Sequence, residues 1–303
     1  MTPLHVDEVQ VDELTVRRLV DEQFPQWAHL GLRAAGHGTD NQMLRLGDGL
    51  VVRLPRKPST AADVHKEQEW LPRLSPHLPL AVPAPVALGS PGTGYPFSWS
   101  VYRWVDGAEL EPDQLDDPVR LGRDLASFVR ALHGTDLMGA RREGPLSSYR
   151  GGSLHDLDRS TEANLAACRG IGGLDLDLTG LMSIWRAAME LDEPPAAHTW
   201  MHTDLKPSNL LVRHGVLVGV VDFGGLSVGD PTCEHAATWD LPPEARSAYA
   251  AELGLGEGTQ LRARAWALAI ALSGVPYYWS TWPGFVQECL RRLRLILDDA
   301  ADD

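Results

Sequence analysis

His202-Thr203-Asp204-Leu205-Lys206-Pro207-Ser208-Asn209-Leu210-Leu211-Val212, followed closely by Gly219-Val220-Val221-Asp222-Phe223-Gly224, sets out a carboxylate, a carboxamide five positions later and a second carboxylate ending an apolar run. The segments from Met201 to Leu205 and from Leu210 to Val212 flank a Lys206-Pro207-Ser208 turn, so Asp204 and Asn209 fall at the two ends of one tight loop. Arg213-His214-Gly215 makes a second turn. The β-branched run from Val216 to Val221 then delivers Asp222, and Gly224-Gly225 permits an abrupt change of direction. Phosphoryl transfer from a nucleotide needs a group that takes the acceptor hydroxyl's proton and oxygen ligands for magnesium, which accepts one or two carboxylates beside phosphate oxygens and water. Singly, an Asp that caps a turn or an Asn in an Asx-turn is ordinary; the three together between apolar strands point to a site.

This arrangement resembles the catalytic loop and Asp-Phe-Gly segment of the kinase superfamily. The resemblance implies Asp204 as the base and Asn209 and Asp222 as the magnesium ligands. It also implies a role for Lys206, which stands where protein kinases carry a lysine that stabilises the transferring phosphate.

Toward the N-terminus, Val9 to Glu22 reads as an amphipathic helix ending at Phe24-Pro25. Leu32 to Leu46 has strand-like ends around a polar, glycine-containing turn, and Gly47-Asp48-Gly49 leads into Leu50-Val51-Val52-Arg53-Leu54-Pro55, giving two antiparallel hairpins. The first turn, with Gly38, Thr39 and Asp40, offers backbone N–H groups to nucleotide phosphates or is an ordinary hairpin; both readings are open. Arg53 occupies the place of the kinase strand lysine. It keeps a permanent cation and a bidentate fork, with a different reach from lysine's. The following helix, Asp63 to Leu74, places Glu67 on the side of Trp70 and Leu74, which makes Glu67 the partner of Arg53.

Phe97 to Gly107 reads as the last strand of a first lobe and a hinge, with the backbone of Arg103 and Val105 facing the nucleotide base and Tyr102 at the pocket's rear. Beyond it, Asp117 to His133 and Leu178 to Leu191 are core helices, while Arg141 to Asp158, rich in Gly, Ser and Arg, reads as a long loop or lid. Asp230-Pro231 begins another helix, Asp as N-cap and Pro at the first helical position. Helices at Gln260 to Leu272 and Gly284 to Leu297 bracket an aromatic segment containing Tyr277, Tyr278, Trp279 and Trp282. These rings either wall an acceptor site or pack as core. A wall of aromatics suits a sugar or base face, whereas an aminoglycoside site needs convergent carboxylates, and the segment has none.

Together, Val51-Val52-Arg53-Leu54-Pro55-Arg56, Tyr102-Arg103-Trp104-Val105-Asp106-Gly107, the His202 to Asn209 loop and Val221-Asp222-Phe223-Gly224 with Gly229-Asp230-Pro231 look like the aminoglycoside and macrolide phosphotransferase family. The resemblance spans roughly Gly31 to Trp282. It implies an α+β, bilobal protein-kinase-like fold: a small antiparallel β-sheet lobe over residues 1–105 and a larger, mainly helical lobe over 106–303. It further implies ATP or GTP with Mg2+ and O-phosphorylation of a small molecule, often an antibiotic, with resistance as the outcome. The sequence departs from the family's usual His-Gly-Asp at Thr203 and at Lys206. Glu234 stands near a position where the family often has Asp, a variation read here as without consequence for the chemistry. Two alternatives compete: a protein kinase, against which the chain has no Ala-Pro-Glu segment after Asp222, and a noncatalytic nucleotide-binding module, for which only Arg53 argues.

Composition bounds the rest. The 303 residues, 44% hydrophobic and 22% charged, are enough for two packed cores. Cys168, Cys233 and Cys289 lack paired spacing, so no disulfide framework or zinc site is readable. Met1 to Val20 carries Asp7, Glu8, Asp12 and Glu13 without a long apolar core, and no apolar run approaches membrane-spanning length; the expected compartment is the cytoplasm. With 27 basic and 41 acidic residues the net charge is −14, which disfavours nucleic acid. The expected partner is a small-molecule hydroxyl acceptor, with no membrane, and the chain a monomer or weak homodimer.

Overall fold

A computed structural model of the protein describes residues 8–37, 40–192 and 197–301. Strands β1 (Leu32–His37), β2 (Asn41–Leu46), β3 (Leu50–Pro55), β4 (Pro85–Gly89) and β5 (Trp99–Arg103) form one antiparallel sheet in the order β1-β2-β3-β5-β4. Period-two alternation divides β3 between two faces. Val52 and Leu54 pack with Trp99, Val101 and the helix residues Val16, Leu19 and Val20 in one core. Val51 and Arg53 face the other way, and Val51 joins a second core with Trp70, Leu71 and Tyr102. Gly89 is required where it stands, because a Cβ there would lie 2.0 Å from the Trp99 ring.

Helix α1 (Glu13–Gln23) starts later than the periodicity suggests, since Asp12 is its N-cap and accepts from Thr15 N at 2.7 Å. The preceding backbone pairs instead with the sheet side, Val9 N donating to Arg56 O. Helix α2 (Pro58–Leu74) starts earlier than expected, with Pro58 in the first turn, and buries Glu67, Trp70, Leu71 and Leu74.

After β5 the chain crosses to a three-stranded sheet of β6 (Ala108–Glu109), β8 (Leu210–Arg213) and β9 (Val216–Val220); β7 (Thr199–Met201) pairs with β10 (Ser227–Gly229). The lobes are tied by main chain as well as by the shared core, with Ala81 N donating to Val218 O and Ala81 O accepting from Val220 N. The helical lobe comprises α3 (Pro118–Gly134), α4 (Asp158–Arg169), α5 (Leu178–Met189), α6 (Pro243–Leu253), α7 (Glu257–Tyr278) and α8 (Pro283–Ala301). Trp185, Trp266, Leu272, Leu293 and Ile296 centre a third core there, each fully buried side chain contributing about 1.5–3 kcal/mol of transfer free energy.

Three expectations are corrected. The stretch from Arg141 to Asp158 is not an open loop but carries short 3-10 turns at Gly144–Leu146, Tyr149–Gly151 and Leu154–Leu157. Pro231–Asp240 is a 3-10 helix, capped by Asp230 as expected. Helix α7 runs through Pro276 to Tyr278, so Tyr277 and Tyr278 form its last turn rather than a separate segment. Pro276 costs the helix the bond its N–H would make to the Leu272 carbonyl, a loss offset by the burial of Leu268, Leu272 and Val275 along the same helix.

Candidate active site

The loop between β7 and β8 is held from three directions. His202 is fully buried; its Nε2 donates to Val221 O (3.0 Å) and its Nδ1 accepts from Asp204 N (3.2 Å), which only the neutral Nε2–H tautomer satisfies. Glu234, also buried, accepts from His202 N (2.6 Å) and Thr203 N (2.9 Å). Thr203 has φ 70°, a left-handed conformation that a β-branched residue adopts only under external restraint. Its hydroxyl donates to Gly225 O at 3.0 Å, joining the loop to the turn after Asp222.

The Glu234 side chain thus reaches two amides of the loop that carries Asp204. Burial works against its charge, but the nearby His133 side chain, 3.9 Å away, and the backbone amide of His202 keep its carboxyl below the usual glutamate range. Glu234→Ala leaves two buried N–H groups without acceptors and is expected to lower the unfolding free energy by about 2–4 kcal/mol, read from the urea midpoint. Glu234→Gln keeps one acceptor and should fall between; a loss below about 0.5 kcal/mol for the Ala variant would show that the amides find other partners.

Asn209 Nδ2 donates to Asp204 O (2.7 Å) and Asp204 Oδ2 (3.1 Å), which leaves its Oδ1 as an acceptor. Asp222 has φ 63°, a conformation that Asp tolerates better than most residues, and its side chain is 48% exposed. Asp222 Oδ1 accepts from Arg53 Nη2 at 2.7 Å, and Arg53 Nη1 donates to Glu67 Oε1 at 2.5 Å. The Tyr102 hydroxyl donates to Glu67 Oε2 at 2.6 Å. Burial, and next the Glu67 carboxylate, push that hydroxyl well above its ordinary pKa, so it remains a donor. With its amide oxygen turned toward Arg53, Asn41 accepts from Nη2 (2.9 Å) and Nε (3.1 Å). Burial disfavours the Arg53 cation, but Glu67 and Asp222 outweigh it and raise its pKa. On α2, the buried Lys66 pairs with Asp63 (2.9 Å) and donates to Gly224 O (2.5 Å), fastening the helix to the turn after Asp222.

Asp204 faces two cations. Arg150 Nη1 donates to its Oδ1 at 3.0 Å and Lys206 Nζ lies 3.5 Å from its Oδ2. Burial alone would raise the Asp204 carboxyl; Arg150 and then Lys206 outweigh it and hold the group well below the usual carboxylate range. A third of the side chain, 33%, stays exposed, so the ionised carboxylate is reachable. Arg150 also lines a cavity of about 600 Å³ together with Tyr149, Ile270, Tyr277, Tyr278 and Phe285; neither Asp204 nor another carboxylate is part of its lining.

Asp204, Lys206 and Asn209 thus gather in one loop, and Arg53, Glu67 and Asp222 in one ion-paired chain, with Thr203 and Gly225 joining the two. Tyr277 and Tyr278 line the cavity, whereas Trp279 and Trp282 do not; Trp282 stacks on Phe285 at 4.9 Å. Asp40 pairs with Lys57 at 2.5 Å. Gly38 and Thr39 lie outside the described residues. Arg103 N donates to Ala84 O at 2.9 Å, so that amide is committed within the sheet, and Val105 is half-buried beside Gly219. Arg150, Lys66 and Asn41 escaped the sequence reading.

The profile of the phosphotransferase enzyme family matches residues 31–268. Among solved structures, the chain is similar to the GDP complex of wild-type aminoglycoside 2'-phosphotransferase-IIIa, with a TM-score of 0.75 and 20% identity over 96% of this chain and 100% of that one. It is also similar to the streptomycin-ATP-APH(2")-IIa ternary complex (0.63, 18%, covering 91% and 92%). A third likeness is to the apoenzyme of macrolide 2'-phosphotransferase MphH from Brachybacterium faecium (0.59, 23%, covering 87% and 91%). At these identities the likenesses establish the kinase-like, bilobal fold. No curated protein matches the chain.

Proposed function

The chain belongs to the phosphotransferase enzyme family, and from that premise we propose that it transfers the γ-phosphoryl group of ATP or GTP to a hydroxyl of a small molecule of the antibiotic type. The observation that carries this reading is the joining of Asp204 and Asn209 to Asp222 and Arg53 through partly buried hydrogen bonds. The acceptor oxygen forms a bond to the γ-phosphorus, the bond from that phosphorus to the β–γ bridging oxygen breaks with its electron pair on the departing nucleoside diphosphate, and the acceptor's proton passes to Asp204.

The donor set fits magnesium. Asn209 Oδ1 and the half-exposed Asp222 carboxylate are hard oxygen donors, the kind magnesium takes beside phosphate oxygens and water. When bound, magnesium neutralises charge on those oxygens. Arg53, fixed by Glu67 and Asn41, presents its fork toward the same place, and Lys206 adds a cation beside Asp204. The ion pair of Arg53 with Glu67 also weakens the case for a noncatalytic nucleotide-binding module, which rested on Arg53 alone.

The acceptor enters by the cavity at Tyr277 and Tyr278. Its aromatic and aliphatic lining without a carboxylate favours a macrolide or nucleoside antibiotic over an aminoglycoside, whose ammonium groups need acidic partners. Nucleoside diphosphate release, measured with ATP and with GTP across macrolides, uridine-type nucleosides and aminoglycosides, tests this. Turnover is expected with a member of the first two classes. Tight, salt-sensitive phosphorylation of kanamycin would overturn the acceptor assignment, and no turnover with any class would overturn the transferase reading.

A further inference from the structure

Arg150 lies in the 3-10 turn Tyr149–Gly151, far from the catalytic loop in sequence, yet it makes the nearest charged contact to Asp204. Its Nη1 donates to Asp204 Oδ1 at 3.0 Å and to the carbonyl oxygen of Thr203, while its Nε donates to the Tyr149 hydroxyl at 3.1 Å. The guanidinium therefore grips both the side chain of the base and the backbone one residue before it.

The turn that carries Arg150 is itself fixed. Asp230 N donates to Gly151 O at 3.0 Å, and a Cβ built on Gly229 would meet Gly151 O at 2.4 Å. Two backbones this close leave no side chain between them to rearrange, so the turn is seated on β10, just beyond the Asp222 turn. The two cations at Asp204 differ in this respect. Lys206 is on a flexible stem and its side chain is 39% exposed; the Arg150 side chain is 21% exposed and held at three points. The carboxylate of Asp204 is thus fixed by a different partner on each oxygen, Arg150 on Oδ1 and Asn209 on Oδ2. Arg150 also lines the cavity beside Tyr277 and Tyr278, so it fixes the base from the side on which the acceptor arrives.

Building on the transferase reading, we propose that Arg150 is a positioning residue for phosphoryl transfer: it holds the plane of the Asp204 carboxylate for the acceptor hydroxyl, and so governs turnover rather than nucleotide binding. Orientation errors of an ångström at a proton-accepting group lower rate steeply, while a nucleotide held by Arg53, Asn209 and Asp222 has no contact that depends on Arg150.

The test is a double-mutant cycle on Arg150→Met and Asp204→Ala, with Arg150→Lys alongside, using magnesium with ATP or GTP and two acceptors: water, read as nucleotide hydrolysis, and the best acceptor of the antibiotic panel. Arg150→Met is expected to lower kcat by about thirtyfold with nucleotide KM within about threefold of the parent, and Arg150→Lys to recover part of the loss. In the Asp204→Ala background the same substitution should change the residual rate by less than about twofold, because no carboxylate remains to be positioned. A rate for Arg150→Met at or above the parent's, or an equal loss in both backgrounds together with a lowered Tm, would overturn the proposal and leave Arg150 a structural residue. Should Arg150→Met fail to fold, Arg150→Lys carries the same comparison between backgrounds. A parent chain that consumes no nucleotide with any acceptor removes the transferase reading, and this role falls with it.

Discussion

Replacing Asp204 by Asn is expected to lower phosphoryl transfer by about a hundredfold or more while nucleotide affinity stays within roughly twofold of the parent's. The substituted side chain keeps the shape of the original and an oxygen to accept from Arg150; its amide nitrogen then faces the Asn209 Nδ2 donor, which keeps its bond to the backbone carbonyl of residue 204. It loses the charge that pairs with Arg150 and Lys206, and it takes up no proton from the acceptor. The comparison needs kcat and KM for nucleotide and acceptor separately. Turnover within a few-fold of the parent would remove Asp204 from the mechanism.

Asp222→Asn is expected to reduce transfer by about a hundredfold or more and, unlike the first variant, to displace the midpoint of the magnesium titration upward by roughly tenfold or more. The backbone at this position has φ 63°, which Asn tolerates as well as Asp, so thermal unfolding should stay close to the parent's. What changes is charge. Arg53 is balanced between Glu67 at 2.5 Å and Asp222 at 2.7 Å, and the neutral amide leaves the cation with one anionic partner and the metal with one fewer anionic ligand. An unchanged magnesium titration would rule Asp222 out as a ligand.

Features that depend on local periodicity were legible in the sequence. The pairing of Arg53 with Glu67 follows from alternation along β3, which turns Arg53 away from Val52 and Leu54, and from the helical stripe that sets Glu67 with Trp70 and Leu74. Asp204, Asn209 and Asp222 were legible because turn residues and an apolar strand fix their spacing. Contacts in which a side chain crosses the fold to reach backbone left no such signature. Glu234 on two loop amides and Lys66 on Gly224 O pair polar groups across long sequence separations, and neither follows a period. Arg150 was hidden for the same reason, in a glycine- and serine-rich stretch with no pattern to place it. The one faint signal was its setting beside Gly151, whose close approach to Gly229 brings the turn to the active site. The continuation of α7 from Leu272 to Tyr278 left no such signature, because the burial of Gly274 and Val275 that carries the helix past Pro276 is a tertiary contact.

Phosphorus NMR of the protein with magnesium, ATP or GTP, and the best acceptor of the panel follows directly the transfer of a phosphoryl group from a nucleoside triphosphate to an organic hydroxyl. The γ-phosphate resonance is expected to decay as a phosphomonoester resonance grows in equal amount, with both changes slowed about a hundredfold or more in Asp204→Asn. Growth of inorganic phosphate alone in the presence of acceptor, or an undiminished phosphomonoester signal from Asp204→Asn, would contradict this mechanism.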